Sequence, residues 1–244
     1  MTKVVNGFHM STLSEKKIAI TGKTSRVAKT LKKFFFGNNI IYLDRKDFNI
    51  LDFNQINNFL KRKKIKILVH MAALSRPMKT HEKNINKSIE VNIIGTANIV
   101  RACKNNNVKL IFFSTNYVYP GTKGHYNEND HLSPINNYGW SKLGGESAVQ
   151  MYKNSLILRL CMTEKPFIHK YAFSNVNTNF MFHEDFAKIF YKLINKKGII
   201  NVGGIRQTVF NFAKSKNKNV KKKISNGLFL DQSMNIKKFE NIIS

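Results

Sequence analysis

The 244-residue sequence predicts a doubly wound α/β fold carrying a small C-terminal lobe. Three observations carry that expectation. Between residues 16 and 160, short apolar runs alternate with amphipathic stretches. The runs are apolar throughout rather than at every second position, as in parallel strands covered on both faces. Beyond residue 160 the alternation thins, leaving too little for a second full sheet.

The elements follow in order. "KKIAIT" (16–21) reads as a buried strand and "RVAKTLKKFF" (26–35) as a helix. "NIIYLD" (39–44) is a strand, "FNQINNFLKRKK" (53–64) a helix, and "IKILVHMAA" (65–73) a strand running into a loop. "INKSIEVNIIGTANIVRACKNNN" (85–107) reads as one long helix and "KLIFFST" (109–115) as a strand. "YGWSKLGGESAVQMYK" (138–153) is a helix and "NSLILRL" (154–160) a strand. In the remainder, 183–197 and 208–218 read as helices and 198–204 as a strand. The expected divisions are an N-terminal extension (1–15), a doubly wound domain (16–160) and a reduced lobe (161–244) with segments returning to the core.

Composition limits the function classes. A content of 42% hydrophobic and 11% aromatic residues can bury a core, which argues against disorder. The first residues hold no long apolar stretch or small-residue cleavage site, and no run reaches about 18 apolar residues. No secretory leader or membrane span is expected, and a cytoplasmic location follows. Cys103 and Cys161 lack metal-type spacing, which suits a reducing compartment. The net charge of +27 comes from scattered lysines in a chain also rich in Ile and Asn, so compositional bias accounts for it. Attraction of anionic small molecules is the sharper reading. Nucleic-acid binding would rest on charge alone and is not expected.

"AITGKTSRVAKTLKK" (19–33) contains Gly-Lys-Thr but is not a P-loop. The required earlier glycine falls on Lys17, at the start of the strand. The alternative is a dinucleotide turn, with Gly22 first and Ser25 and Ala28 where two further glycines would stand. Taken alone, the stretch fits a plain strand-to-helix turn equally well. Asp44 and Arg45 end the next strand. The acid suits ribose hydroxyls and the arginine a 2′-phosphate, so NADPH is favoured with NADH allowed. A surface-turn role for Asp44 stays open. Asn49 and Ile50 are placed at an adenine edge. The small residues after the third strand, in "HMAAL" (70–74), suit the floor beneath a nicotinamide ribose.

"FFSTNYVYPGTKGHYNENDHLSPINNYGWSKLGGE" (112–146) carries the chemistry. Tyr138 and Lys142 stand four apart on a helix and share a face. A neighbouring ammonium would lower the phenol's pKa, fitting it to donate a proton to a carbonyl oxygen as hydride arrives at carbon. Lys142 would also hold the nicotinamide ribose. Thr115, at a strand's carboxyl end, can hydrogen-bond the same carbonyl.

On these pieces the chain resembles an extended short-chain dehydrogenase/reductase, and more narrowly the dTDP-4-dehydrorhamnose reductases. "GKTSRVA", "HMAA", "STNYVYPG" and "SPINNYGWSKLGGE" carry the likeness over residues 16–160. The resemblance implies a Rossmann-type domain and a triad of Thr115, Tyr138 and Lys142. It implies cofactor contacts at Gly22, Thr24, Ser25, Arg26, Val27, Asp44, Arg45, Asn49, Ile50, Met71, Ala72 and Ala73, besides Tyr138 and Lys142. It places Thr115, Asn116 and Met162 toward a nucleotide-sugar substrate and allows a homodimer. The departures are Ser25, Ala28, Asn49, Asn116 and a shortened stretch after Arg159. Tyr117 stands where related epimerases carry a cysteine, and Asn116-Tyr117 where a dehydratase carries an acidic pair.

The expectation is therefore NAD(P)H-dependent reduction of a nucleotide-linked 4-keto-6-deoxy sugar. The alternatives are an epimerase or dehydratase of the same superfamily, or a catalytically silent, dinucleotide-binding regulatory subunit, as in a methionine adenosyltransferase partner. No metal is expected: His183, Glu184 and Asp185 suit a helix's first turn. His70 reads as a packed core residue, Cys103 as buried, and His169 and Lys170 as a phosphate-facing pair at the substrate border.

Overall fold

The structure is a computed structural model that describes residues 16–215 and 217–244; the expected N-terminal extension lies outside them. Six strands form the central sheet: β1 (Ile18–Thr21), β2 (Ile40–Leu43), β3 (Ile67–His70), β4 (Lys109–Thr115), β5 (Ser155–Leu160) and, after four short strands, β10 (Gly198–Val202). The intervening strands are β6 (Met162–Thr163), β7 (Tyr171–Phe173), β8 (Asn177–Thr178) and β9 (Met181–Phe182). All six sheet strands are parallel, in the spatial order β10-β5-β4-β3-β1-β2. The chain steps outward from β1 to β2, then crosses back to β3 on the other side of β1. The strand order reverses at that point, and in doubly wound sheets the ligand crevice lies there, beyond the carboxyl ends.

Alternate residues of each strand feed opposite layers. Ile18, Ile20, Val69 and Leu158 face one core, covered by α1 (Arg26–Leu31), α7 (His183–Ile189) and α9 (Lys237–Ile243). Ala19, Leu68, Phe112 and Ile157 face the other, covered by α2 (Phe53–Lys63), α5 (Gly95–Asn105) and α6 (Asn137–Gln150). Fully burying each such Ile, Leu or Phe contributes about 1.5–3 kcal/mol, which is why the apolar runs were continuous.

Three local differences from the sequence reading have physical causes. The long helix expected at 85–107 is broken into α4 (Ile85–Ser88), a wide π turn (Ile89–Ile94) and α5. The π turn carries Asn92, whose side chain bonds both Leu74 backbone groups and the Ser141 hydroxyl. A short helix, α3 (Lys79–Lys83), precedes it and had no periodic signal to announce it. The helix expected at 26–35 ends at Leu31, where Lys33 and Phe34 turn back onto Thr30 and Leu31.

The C-terminal part adds two-stranded pairs: β6 with β9, β7 with β12 (Lys221–Lys223), and β8 with β11 (Gln207–Thr208). The remaining helix, α8 (Val209–Lys214), is capped by Thr208, whose hydroxyl accepts from Asn211 N. No helix among the described residues is long and apolar enough to cross a membrane.

Candidate active site

One open cleft of about 2140 Å³ runs along the carboxyl ends of the strands and on past β6. Gly22, Thr24, Ser25, Arg26, Val27, Asp44, Arg45, Asn49, Ile50, Met71, Ala72 and Ala73 line it, and so do Thr115, Asn116, Tyr138, Lys142 and Met162. Residues spread over 140 positions of sequence thus meet on one wall-to-wall surface.

The turn after β1 is built for close backbone approach. Gly22 has φ +82°, a region L side chains rarely adopt, and a Cβ there would stand 2.9 Å from Ala72 N. Thr21 holds the facing loop: its hydroxyl accepts from Met71 N at 3.2 Å and Ala72 N at 3.1 Å. His70 lies between Thr21 (2.9 Å) and Thr96 (3.3 Å), and burial pushes its imidazole down to about 3. It is a neutral, packed residue, as its position at a strand end suggested. Ser25 does not intrude on the turn, because its hydroxyl caps α1 by accepting from Ala28 N at 3.1 Å.

At the end of β2, Asp44 accepts from Lys46 N and faces the Lys23 ammonium at 3.6 Å. The backbone hydrogen bond, followed by the Lys23 charge, holds its carboxyl below the usual range despite some desolvation. Asp44 therefore shapes the turn and faces the cleft together. Asn49 Oδ1 accepts from Leu51 N at 3.1 Å, so one lone pair of the carbonyl expected to face adenine is already engaged.

The residues of the expected triad come from β4 and α6. Thr115 closes β4 and accepts from Tyr117 N at 3.3 Å. Asn116 Nδ2 reaches Gln232 O at 3.4 Å, tying this corner to the C-terminal segment. Asn136 caps α6 by accepting from Gly139 N at 2.8 Å, which starts the helix just ahead of Tyr138. Gly145 lets α6 approach the π turn: a Cβ there would stand 2.4 Å from Asn92 O. Lys142 is thereby driven deep, to 3% exposure, with Nζ 4.1 Å from the Phe112 ring centroid.

The electrostatics correct one expectation. Burial raises the Tyr138 phenol to about 12; a Thr115 hydrogen bond and the Arg76 charge oppose that, and Tyr117 adds to it. Burial lowers the Lys142 ammonium to about 7 against the pull of Glu146. The lysine was expected to depress the phenol; instead burial is the largest influence on it and raises it.

Several residues that brace the site were missed. Asn92 holds the Leu74 loop against α6. His81 is fully buried with its ring 5.2 Å from that of Tyr138, and its Nδ1 lies 2.7 Å from Ser88 Oγ. Arg76 and Glu164 form an ion pair at 2.7 Å across the cleft. Only Arg76 had a signal: a cation just beyond a strand's carboxyl end. Of the border residues, His169 and Lys170 line the cleft. Cys103 and Cys161 are buried. Glu184 and Asp185 lie in the first turn of α7.

A family model described as the RmlD substrate binding domain matches residues 16–163. Among curated proteins, a dTDP-D-glucose 4,6-dehydratase of Dictyostelium discoideum is 31% identical over 185 residues, covering 60% of this chain and 42% of that protein. A methionine adenosyltransferase 2 subunit beta of Bos taurus is 30% identical over 146 residues, covering 56% of this chain and 43% of that one. The match thus spans less than half the length of each relative. Among solved structures, a dTDP-4-dehydrorhamnose reductase from Bacillus anthracis in complex with NADP superimposes with a TM-score of 0.80. It is 21% identical, with 93% of this chain and 91% of that chain covered, and so supports the fold.

Proposed function

The chain belongs to the RmlD substrate-binding-domain family, and from that membership and the cleft we propose an NAD(P)H-dependent reductase of a nucleotide-linked 4-keto-6-deoxy sugar. The observation that carries the reading is the meeting of Thr115, Tyr138 and Lys142 in the same cleft as the Gly22 turn and Asp44.

The residues present fit a dinucleotide. Gly22 leaves backbone clear where a Cβ would fill the turn, and the cleft continues from there to Tyr138. When bound, the cofactor supplies hydride; NADPH is the preferred form, with NADH allowed. Tyr138 holds the proton at its phenol oxygen for delivery to the carbonyl oxygen. Its raised pKa of about 12 keeps that proton in place at neutral pH. Thr115 hydrogen-bonds the phenol and stands where its hydroxyl can polarise the same carbonyl. Lys142, facing the ribose, regains a full positive charge wherever a hydroxyl or phosphate oxygen replaces the solvation it has lost.

The test is oxidation of NADPH and NADH with a panel of nucleotide 4-keto-6-deoxy sugars, for wild type and Tyr138→Phe. Turnover with at least one sugar, lost in Tyr138→Phe, is expected. Turnover that survives the substitution would sink the mechanism.

A second reading is a silent, dinucleotide-binding regulatory subunit. Likeness to the methionine adenosyltransferase subunit favours it, together with a lysine whose ammonium is buried against the Phe112 ring. Tight nucleotide binding without turnover on any sugar would select it. A dehydratase is less well supported, because Asn116 and Tyr117 supply no acid after Thr115.

A further inference from the structure

Arg26 opens α1, directly after the β1 turn, and Arg76 lies in the loop after β3. These two segments flank the reversal in strand order. Both guanidiniums reach the same oxygen, Oε1 of Glu164, with Arg76 at 2.7 Å. Glu164 comes from the other half of the molecule, immediately after β6. All three residues line the cleft.

We propose that Arg26 and Arg76 form a seat for a diphosphate group, that of the dinucleotide on the reading above, and that Glu164 is its internal occupant, displaced when the diphosphate binds.

Charge supports this assignment. Two cations converge on a single anion, so one positive charge stays uncompensated, and neither arginine pairs with another carboxylate among the described residues. A diphosphate brings at least two negative charges and several acceptor oxygens, which match two guanidinium forks better than one carboxylate does. Access supports it as well. The Arg26 and Arg76 side chains are 58% and 50% exposed, whereas Glu164 is 19% exposed. A ligand entering the cleft meets the cations first. Glu164 also joins the β6 segment to the two nucleotide-side loops, so displacing it frees the lobe side of the cleft from the turn side. The gate thereby couples cofactor entry to the width of the substrate half.

The test uses the full chain and two probes: NADPH by fluorescence titration and inorganic pyrophosphate by calorimetry. Two half-exposed ion pairs are lost in Glu164→Gln, so both probes should bind about fivefold tighter or more. Arg76→Gln should weaken both, and the double variant should lose most of the gain. Glu184→Gln, an acid in the first turn of α7, should leave both constants unchanged. Should Glu164→Gln fail to fold by circular dichroism, Glu164→Asp, too short to reach both arginines, should give a smaller tightening. Glu164 variants that bind neither probe more tightly overturn the proposal. Tighter pyrophosphate binding with NADPH bound by no variant keeps the seat and overturns the dinucleotide reading. NADPH bound equally by all variants, with pyrophosphate unchanged, keeps that reading and overturns the gate.

Discussion

The ammonium of Lys142 sits 4.1 Å from the centre of the Phe112 ring, buried between α6 and the sheet. A cation in that place interacts with the ring face but loses most of its hydration. Desolvation wins, and the group titrates near 7 rather than at its ordinary 10.5.

The first prediction is a pH-dependent stability. Between about 7 and 10.5 the unfolded chain holds a proton at this lysine that the native chain lacks, so stability attributable to Lys142 rises with pH. Below about 7 both states hold it and the full penalty remains. Lys142→Met should therefore be more stable than wild type at pH 6, by an amount on the order of a few kcal/mol at about 1.4 kcal/mol per unit. The advantage should shrink steadily by pH 9.5. Urea titrations across that range decide it, and a pH-independent difference would refute the desolvation account.

Gly22→Ala should damage the site twice over. The added methyl meets Ala72 N at 2.9 Å, and φ +82° strains any L residue. The strain is worth roughly 1–3 kcal/mol, and relief by moving Ala72 would disturb the loop that Thr21 holds. Lower thermal stability together with loss of NADPH binding is expected. Unchanged binding would show that the turn does not carry the cofactor.

Ser25→Gly should do little. The hydroxyl caps α1 instead of facing the cleft, and glycine at that position costs only a few tenths of a kcal/mol. The NADPH dissociation constant should stay within about twofold of wild type, since a few tenths of a kcal/mol is less than that factor. A tenfold tightening would mean that the hydroxyl obstructs the phosphates after all.

These three positions show what could be read from sequence. The sheet strands were legible because both faces are buried, which makes each run apolar without interruption. Gly22, Tyr138 and Lys142 were legible because a turn and a helix impose fixed local spacings. Asn92 was not: the π turn inserts one extra residue into an otherwise regular apolar pattern, and its side chain acts through partners 18 and 49 positions away. The pairing of Arg26 with Glu164 spans 138 positions and left no local pattern. The short strands beyond residue 160 are two or three residues long, below the length at which alternation becomes a signal. Direction of the pKa shifts was also hidden, because desolvation depends on depth and not on spacing.

The last prediction concerns what holds Lys142 at that depth. Glu146, one turn further along α6, is fully buried and receives Arg159 of β5 at 2.6 Å and Ser114 Oγ at 2.6 Å. Arg159 also donates to Tyr119 Oη at 2.7 Å and Glu128 O at 2.8 Å. The pair clamps α6 to the sheet. Glu146→Gln would leave the guanidinium buried without its counter-charge, which typically costs about 3–5 kcal/mol. Adding Arg159→Met removes the stranded cation, so the double variant should recover most of that loss. Denaturant unfolding of the single and double variants measures both steps. If Glu146→Gln alone is nearly neutral, the clamp is not electrostatic and α6 is held by packing at Gly145 instead.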